Sequence, residues 1–279
     1  MTSSPVSAVS PFFDLKATHN PTRWFLPLHE GLCVGPPGRS FMFGGIGMAA
    51  AVTAMERTCE RPVIWATAQY LSYARPPSVV DFDVRVAAAG RSTSQARVVA
   101  HVGGTEILTV NAALGSRSEE APRQWASPPP VPPPQDCPET ERWRDDSEDL
   151  HARLEVRIAH GAHDRRTREG PSADGRLVLW VRSREGHALD SGMLAIMADH
   201  VPSALGAALG RNAGGNSLDN TLRIIQTVET PWVLCDISIV GMARGLAHGA
   251  MRLFSQDGRL LASASQSLIV RLRDEGATA

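Results

Sequence analysis

Lysine, paired cysteines and blocks of like charge are scarce or missing in this sequence. Lys16 is the only lysine, no run of Lys and Arg is present, and the net charge is −1. This charge pattern gives no general attraction for nucleic acid, so we expect no nucleic-acid partner. The cysteines form no C-x-x-C pair, which argues against a zinc ribbon, a redox dithiol and a disulfide scaffold. They are Cys33, Cys59, Cys137 and Cys235.

Long apolar runs are missing as well. No run reaches the ~18 residues that a membrane span needs. The first 20 residues have no charged stretch followed by an apolar core, as a secretory signal would. His160 and His163 resemble a metal-binding pair only in spacing, because no third ligand is evident nearby. We therefore expect a reduced, cytoplasmic protein without a membrane span or a metal site.

A proline-rich segment at 117–147 divides the chain. Its prolines cannot donate to a sheet ladder or continue a helix, and its charges disfavour burial. It is typical of a semi-rigid, exposed linker. We therefore expect two domains of similar size, at 1–116 and 148–279.

The two halves repeat one pattern of elements. Residues 43–60 and 191–210 are each apolar on nearly every side, which predicts buried helices, and Ser191 is the expected N-cap of the second. Four strand-like segments follow each helix, and one more precedes the second helix. The segments are 63–74, 79–90, 92–102 and 106–115 in the first half, and 176–184, 216–225, 232–243, 246–255 and 259–272 in the second.

Two glycine-containing pairs mark hairpin turns in this pattern. Gly103-Gly104 predicts a tight turn, and Asp257-Gly258 predicts a type I′ turn. A shift of 153 residues brings these hairpins together. A sheet that covers a helix apolar on all sides has to wrap around it. The pattern predicts an α+β protein with a double hotdog fold, in which two antiparallel sheets each wrap around a central apolar helix.

Five segments carry a family resemblance. They are FMFGGIGMAAAV (41–52), YARPP (73–77), LAIMADHVPSAL (194–205), NSLDNTLRI (216–224) and FSQDGRLLASASQSLIVR (254–271). With them the sequence resembles the acyl-CoA thioesterase II family, including actinobacterial relatives, over about 35–115 and 152–272. The resemblance implies hydrolysis of an acyl-CoA or acyl-carrier-protein thioester without metal, nucleotide or flavin. We further expect a homodimer or higher homo-oligomer.

The resemblance also implies the catalytic residues. In the family an aspartate on the second helix, a hydroxyl and a glutamine on the last strand hold the hydrolytic water. The matching positions are Asp199, Ser217 and Gln266. Serine stands where threonine is more typical; it keeps the hydroxyl but loses the methyl that restricts its rotamer. We expect the water to be held less firmly in consequence.

The residues alone leave alternatives open at these positions. Burying Asp199 on an apolar helix costs several kcal/mol unless it is hydrogen-bonded. It is therefore either a base of raised pKa or a structural aspartate bound to backbone donors or facing solvent. Gln266 shares a face with Ala262 and Ala264 and either contacts substrate or lies on an edge strand. Asp219 and Thr221 are alternatives to Ser217.

Three further residues are candidates for substrate binding. Gly44 and Gly45 open the first helix, whose free N–H groups suit an oxyanion, although we favour the interpretation that these glycines allow close packing between helix and sheet. His200 follows Asp199, but adjacent helical positions point about 100° apart, which indicates a channel or surface residue.

The internal repeat predicts which half holds the site. Under the 153-residue shift, the three catalytic candidates align with Ile46, Ile64 and Ala113, none of which is polar. We therefore expect a single site in the C-terminal half, with the N-terminal half completing the sheet and the substrate channel.

Two other functions are compatible with the same fold. A hydratase or dehydratase needs a catalytic histidine beside an acid, and Asp199-His200 is the only nearby pair. A non-catalytic acyl-CoA-binding protein would result if the serine variant no longer turns over. A nucleophilic serine hydrolase is disfavoured because no G-x-S-x-G elbow is present.

Overall fold

One antiparallel sheet of thirteen strands dominates the computed structural model, which describes residues 11–117, 121–140, 148–162 and 170–272. A separate two-stranded sheet consists of β3 (Cys33–Val34) and β4 (Phe41–Met42). The strands of the large sheet are β1 (Lys16–Ala17), β2 (Arg23–Leu28), β5 (Val63–Tyr70), β6 (Ser78–Ala89), β7 (Thr93–Val102), β8 (Thr105–Gly115), β9 (Leu154–His160), β10 (Arg176–Ser183), β11 (Ala213–Ser217), β12 (Asp219–Ile224), β13 (Val233–Ala243), β14 (Leu246–Ser255) and β15 (Leu260–Leu272).

The large sheet is built from two half-sheets that meet at β5 and β12. Its order is β1-β2-β6-β7-β8-β5 and then β12-β15-β14-β13-β10-β9, with β11 paired to β15. At the seam Thr67 lies opposite Thr221, and their hydroxyl oxygens are 3.2 Å apart. Backbone hydrogen bonding therefore continues without a break from one half to the other.

The helices lie against the inner face of this sheet. They are α1 (Gly44–Cys59), α2 (Leu150–Arg153), α3 (Ser191–Ala198) and α4 (Ala204–Leu209). Ten of the 16 residues of α1 and all residues of α3 after Ser191 are buried. The helical stretch Ser191–Leu209 is apolar and long enough to cross a membrane, but 78% of it is buried in the protein. Each half-sheet thus wraps an apolar helix, which confirms the double hotdog fold.

The second helix differs from its predicted form at both ends. Asp190, not Ser191, is the N-cap, because its extended backbone lets Oδ1 accept a hydrogen bond from the Met193 N–H at 2.8 Å. The Ser191 hydroxyl instead donates to Glu56 at 2.7 Å. The predicted helix 191–210 is also interrupted after Ala198, and a 3₁₀ turn at Val201–Ser203 precedes α4. Pro202 explains the break because it has no N–H for the helical ladder.

Two predicted strands are shorter or divided. The segment 63–74 ends as a strand at Tyr70, so the Tyr-Ala-Arg-Pro-Pro motif lies beyond it. The segment 216–225 is divided at Leu218 between β11 and β12. The division follows from pairing, because β11 pairs only with β15 whereas β12 pairs with both β15 and β5.

The hairpin predictions have different outcomes. Val102 pairs with Thr105 across the two-residue turn Gly103-Gly104, as predicted. Asp257-Gly258 is not a type I′ turn, which requires positive φ at both central residues. Only Gly258 has positive φ, at 86°. Ser255 N donates to the Arg259 carbonyl at 2.9 Å, so the loop has three residues and is closed by a glycine.

The proline-rich segment is anchored to the sheet over 121–140. Most of its side chains are exposed, as predicted, but Pro134 and Cys137 are buried. Trp180 Nε1 donates to the Pro132 carbonyl at 3.0 Å, and Gln124 Nε2 donates to the Gly258 carbonyl at 2.9 Å. The segment covers an apolar patch on the outer face of the second half-sheet, formed by Val178, Trp180, Trp232, Leu234 and Phe254.

The close approach of α1 and α3 predicts different tolerance at two glycines. A β-carbon at Gly45 would lie 2.9 Å from the Ile196 backbone Cα, whereas one at Gly47 would meet the mobile ends of Leu108 and Met42. We expect Gly45→Ala to lower the free energy of unfolding by about 1–3 kcal/mol. Gly47→Ala should change it by less than about 1 kcal/mol, because helix propensity offsets the crowding. Urea unfolding measures both; equal losses would contradict this packing.

Candidate active site

Asp199 lies at the end of α3, where it contacts the beginning of α1. It is 5% exposed, and its φ of −88° and ψ of 20° end the helix. Oδ2 accepts a hydrogen bond from the Gly45 backbone N–H at 2.7 Å, and Oδ1 accepts a short one from the Gln266 amide. A carboxylate at a helix N-terminus is stabilised by the free N–H groups and the helix dipole.

Gln266 connects the sheet to this carboxylate. It is fully buried in the middle of β15, which excludes the edge-strand alternative. Nε2 contacts both Asp199 and, at 3.4 Å, the Ser217 hydroxyl. Oε1 is buried and has no hydrogen-bond partner among the described residues. The glutamine therefore presents a free acceptor beside the carboxylate.

Ser217 is the last residue of β11 and reaches the site through Gln266. Its two alternatives are engaged elsewhere. Asp219 accepts a hydrogen bond from the Ser267 N–H at 2.7 Å, and Thr221 contacts Thr67 at the seam. The division at Leu218 places Ser217 and Asp219 on different strands. Ser217 therefore does not share a face with Asp219 and Thr221 by simple strand alternation, which was the reason to consider them as alternatives.

Both glycines at the start of α1 lie against Asp199. A β-carbon at Gly44 would be 2.7 Å from Asp199 Oδ2, and one at Gly45 would be 3.0 Å from Asp199 Cβ. The glycines thus permit close packing of α1 against the end of α3, which we did not expect, and only Gly44 also approaches the sheet, at Tyr70, as we favoured. The Gly45 N–H binds Asp199 in this structure. The N-terminal half therefore contributes to the site and does more than complete the sheet.

His200 is buried, at 7% exposure, which excludes a surface position. Nδ1 lies 3.0 Å from the Met197 carbonyl, and the ring packs edge-on to Phe43 with centroids 6.0 Å apart. The imidazole ring is therefore held in place between the end of α3 and the beginning of α1.

Burial dominates the electrostatics of Asp199. Loss of solvent raises the pKa of its carboxyl from 3.8 to about 7, against the opposing effect of the hydrogen bonds from Gln266 and Gly45. A carboxyl with a pKa near neutrality can exchange a proton with a bound water at physiological pH. The Asp199 carboxylate therefore has the properties of a general base.

Two residues near Asp199 were not predicted from the sequence. Tyr70, at the end of β5, has a buried hydroxyl, and burial together with the charge of Asp199 raises its pKa well above the ordinary value. Asn220 on β12 is fully buried. Asn220 lies in the segment 216–224 that carries the family resemblance, and the available signal was an asparagine two residues from Leu218 and from Leu222 in a predicted strand.

The pairing registers revise the comparison of the two halves. Thr67 pairs with Asn111 and Thr221 with Ser265, so the strands correspond with an offset of 154 rather than 153. The counterparts of Gln266 and Ser217 become Ala112 and Val63. Aligning the starts of α1 and α3, at Gly44 and Ser191, places Asp199 against Val52 instead of Ile46. The longer connection through α4 explains why helices and strands require different offsets.

Val52, Val63 and Ala112 are all apolar, so the revised offsets still give the three candidates no polar counterpart in the N-terminal half. No group of three or more His, Cys, Asp or Glu side chains that could hold a metal occurs within 11–117, 121–140, 148–162 and 170–272. His160 lies 3.6 Å from Asp174, and His163 falls outside the described residues.

Sequence and structure comparisons identify the family. Residues 35–115 match the acyl-CoA thioesterase N-terminal domain, and residues 130–270 match the acyl-CoA thioesterase C-terminal domain. No functionally curated protein matches the sequence at a significant level.

Solved structures agree with this match. A candidate thioesterase from Novosphingobium aromaticivorans is 38% identical, with 93% of this chain and 98% of that chain covered and a TM-score of 0.83. A protein of unknown function with a hot dog fold from Alicyclobacillus acidocaldarius is 21% identical, with 94% and 97% covered and a TM-score of 0.80. An acyl-CoA thioesterase II from Mycobacterium marinum is 21% identical, with 94% and 97% covered and a TM-score of 0.70. The chain therefore belongs to the acyl-CoA thioesterase family and is a double-hotdog thioester hydrolase.

Proposed function

We propose that Asp199, Gln266 and Ser217 hold and activate the water that hydrolyses an acyl-CoA thioester. The observation that supports this most directly is the free Oε1 of Gln266 beside a buried carboxylate whose pKa is about 7. A water between them could donate one hydrogen to each. Ser217 steadies Gln266 through its hydroxyl, at the long distance of 3.4 Å.

In the proposed reaction the water oxygen attacks the thioester carbonyl carbon while Asp199 accepts a proton from the water. The carbonyl π electrons move to oxygen and form a tetrahedral oxyanion. When this intermediate collapses, the C–S bond breaks and CoA leaves as a thiolate, which takes the proton from Asp199. The products are the carboxylic acid and CoA thiol, and the carboxylate of Asp199 is restored.

The same site could accept a thioester on CoA or on the phosphopantetheine arm of a carrier protein, since the reacting atoms are identical. We propose that Gly44, Gly45 and His200 form the wall beside the acyl group, because all three lie where α1 meets α3.

We also propose a cytoplasmic homodimer. The exposed apolar residues Ile64, Leu71, Leu218 and Ile225 along the central seam support an assembly there.

Thiol release from saturated acyl-CoA substrates of increasing chain length tests the function. We expect release of one thiol per acid formed. Hydration of an enoyl-CoA without thiol release would instead support a hydratase. Tight acyl-CoA binding with no thiol release at any chain length would support a non-catalytic binding protein.

Substitution of Asp199 tests the general base. We expect Asp199→Asn to lower kcat by about 10²–10⁴-fold, because the amide cannot accept the proton. Gln266→Ala should cause a comparable loss by removing the second water ligand. Glu56→Gln is the matched control, since Glu56 is another poorly solvated carboxyl that bonds the two helices, at their opposite end. Its kcat should stay within about threefold; near-normal turnover in both site variants would refute the assignment.

The raised pKa of Asp199 predicts the pH profile. The carboxylate is the active form, and its pKa is about 7. We therefore expect kcat/KM, which reports the pKa of the free enzyme, to fall about tenfold per pH unit below that value. The residual activity of Asp199→Asn should lack this acidic limb. Persistence of the limb in the variant would assign it to another group.

The same pKa shift predicts a pH-dependent effect on stability. The folded pKa of about 7 exceeds the unfolded value of 3.8, so the folded state gains stability from the protonated form at low pH and loses it as pH rises through 7. Asp199→Asn carries no such penalty. Its free energy of unfolding relative to wild type should increase by roughly 2–3 kcal/mol between pH 5 and pH 8. Urea unfolding at both pH values checks this; a constant difference would contradict the shift.

A further inference from the structure

The buried polar atoms that lack hydrogen-bond partners are concentrated around Asp199. Five such side-chain atoms occur in the described residues, and four of them belong to Tyr70, Asn220 and Gln266. Leaving one buried polar atom unpaired costs about 1–3 kcal/mol. Four unpaired atoms in one place would be costly without a function, and we therefore interpret them as a surface that binds polar atoms of a ligand.

The sheet register places these three residues side by side on the inner face. Asn220 lies opposite Ala68 on β5, and the register of β12 with β15 continues from Thr221 and Ser265 to Asn220 and Gln266. Tyr70 is two residues beyond Ala68 and so projects from the same face. The small side chain of Ala68 leaves room for Asn220 between the tyrosine and the glutamine.

Gly44 allows the tyrosine ring and the carboxylate to approach each other closely. A β-carbon there would lie 2.7 Å from Asp199 Oδ2 and 3.0 Å from Tyr70 Cζ. No more than the sum of these distances separates the carboxylate from the ring carbon that carries the hydroxyl. A thioester carbonyl bound next to both groups can therefore lie within reach of a water held by Asp199 and of the Tyr70 hydroxyl.

We propose that the Tyr70 hydroxyl donates a hydrogen bond to the carbonyl oxygen of the thioester and stabilises the oxyanion that develops there. Asn220 is a positioning residue: its amide adjoins the tyrosine hydroxyl, and when substrate binds its Nδ2 donates to the tyrosine oxygen and directs the hydroxyl hydrogen toward the substrate. This inference rests on the proposed hydrolysis and adds a residue from the N-terminal half to its mechanism. No proton is transferred from the tyrosine, so its role is electrostatic.

The electrostatic environment of Tyr70 favours its neutral, protonated form, as a hydrogen-bond donor requires. Burial and the nearby Asp199 charge both disfavour the phenolate, and the Asn220 amide opposes them. The tyrosine therefore keeps its hydrogen throughout the reaction and acts as a neutral donor. Asp199 accepts from the water while Tyr70 donates to the carbonyl oxygen, which places complementary groups on the two reactants.

Tyr70→Phe removes the hydroxyl and retains the ring. We expect kcat to fall by about 100-fold with KM changed less than about threefold, since the interaction strengthens as charge develops on oxygen. Tyr73→Phe is the matched control. Tyr73 is the only other tyrosine, is 49% exposed, and bonds the Asn216 amide. Its kcat should equal that of wild type.

Two stable CoA conjugates separate a substrate contact from a structural effect. One replaces the thioester carbonyl by CH₂ and the other retains the carbonyl as a ketone, with CH₂ inserted before sulfur. Tyr70→Phe should weaken inhibition by the ketone about tenfold and leave the thioether unchanged. Equal weakening of both, or an unaltered kcat, would overturn the proposal.

A second variant keeps the test decisive if Tyr70→Phe folds poorly. Asn220→Ala should lower kcat by about tenfold and weaken inhibition by the ketone conjugate but not by the thioether, because Asn220 acts through the tyrosine. The kcat of the double variant should be no lower than that of Tyr70→Phe alone. Losses of kcat that add would show that Asn220 acts independently of the tyrosine. If wild type releases no thiol, the proposed hydrolysis fails, and the selective binding of the ketone still decides the role of Tyr70.

Discussion

The hydrogen bond from the Gly45 N–H to Asp199 joins the two halves of the protein at their helices. It requires a glycine at 45, because any β-carbon would strike the neighbouring helix at Ile196. It also compensates part of the cost of burying a carboxylate in an apolar helix pair. The incomplete compensation is what leaves the pKa near 7, and so the same contact serves both packing and proton transfer.

Around this contact the sheet supplies polar side chains, which the apolar faces of the helices lack. Gln266 and Asn220 project from its inner face on adjacent strands, where alternation would otherwise place apolar side chains. Polar atoms at such positions are costly unless they have partners. Gln266 Nε2 has such a partner in Asp199, whereas Gln266 Oε1 and the Asn220 amide have none among the described residues.

Local pattern was sufficient to predict much of the fold. Periodicity located the apolar helix at Gly44–Cys59 and seven of the nine predicted strands to within a residue or two, and the family resemblance supplied Asp199 and Gln266; β1 to β4 and β9 were not predicted. The contact of Gly45 with Asp199 and the approach of Tyr70 could not be predicted, since they depend on how distant segments cross. The Asp190 cap, in place of the predicted Ser191, was open to prediction, because Asp190 stands three residues before the Met193 N–H that it binds.

The seam between β5 and β12 has a consequence for how the protein depends on concentration. A site assembled from two separate hotdog chains would be lost on dilution, because association is bimolecular. Here one covalent chain supplies Gly45 and Asp199, and the segment 121–140 is fastened along the outer sheet by Trp180 and Gln124. Assembly of the site is therefore an intramolecular event with a high effective concentration. Within one folded chain, the site forms without help from a second copy.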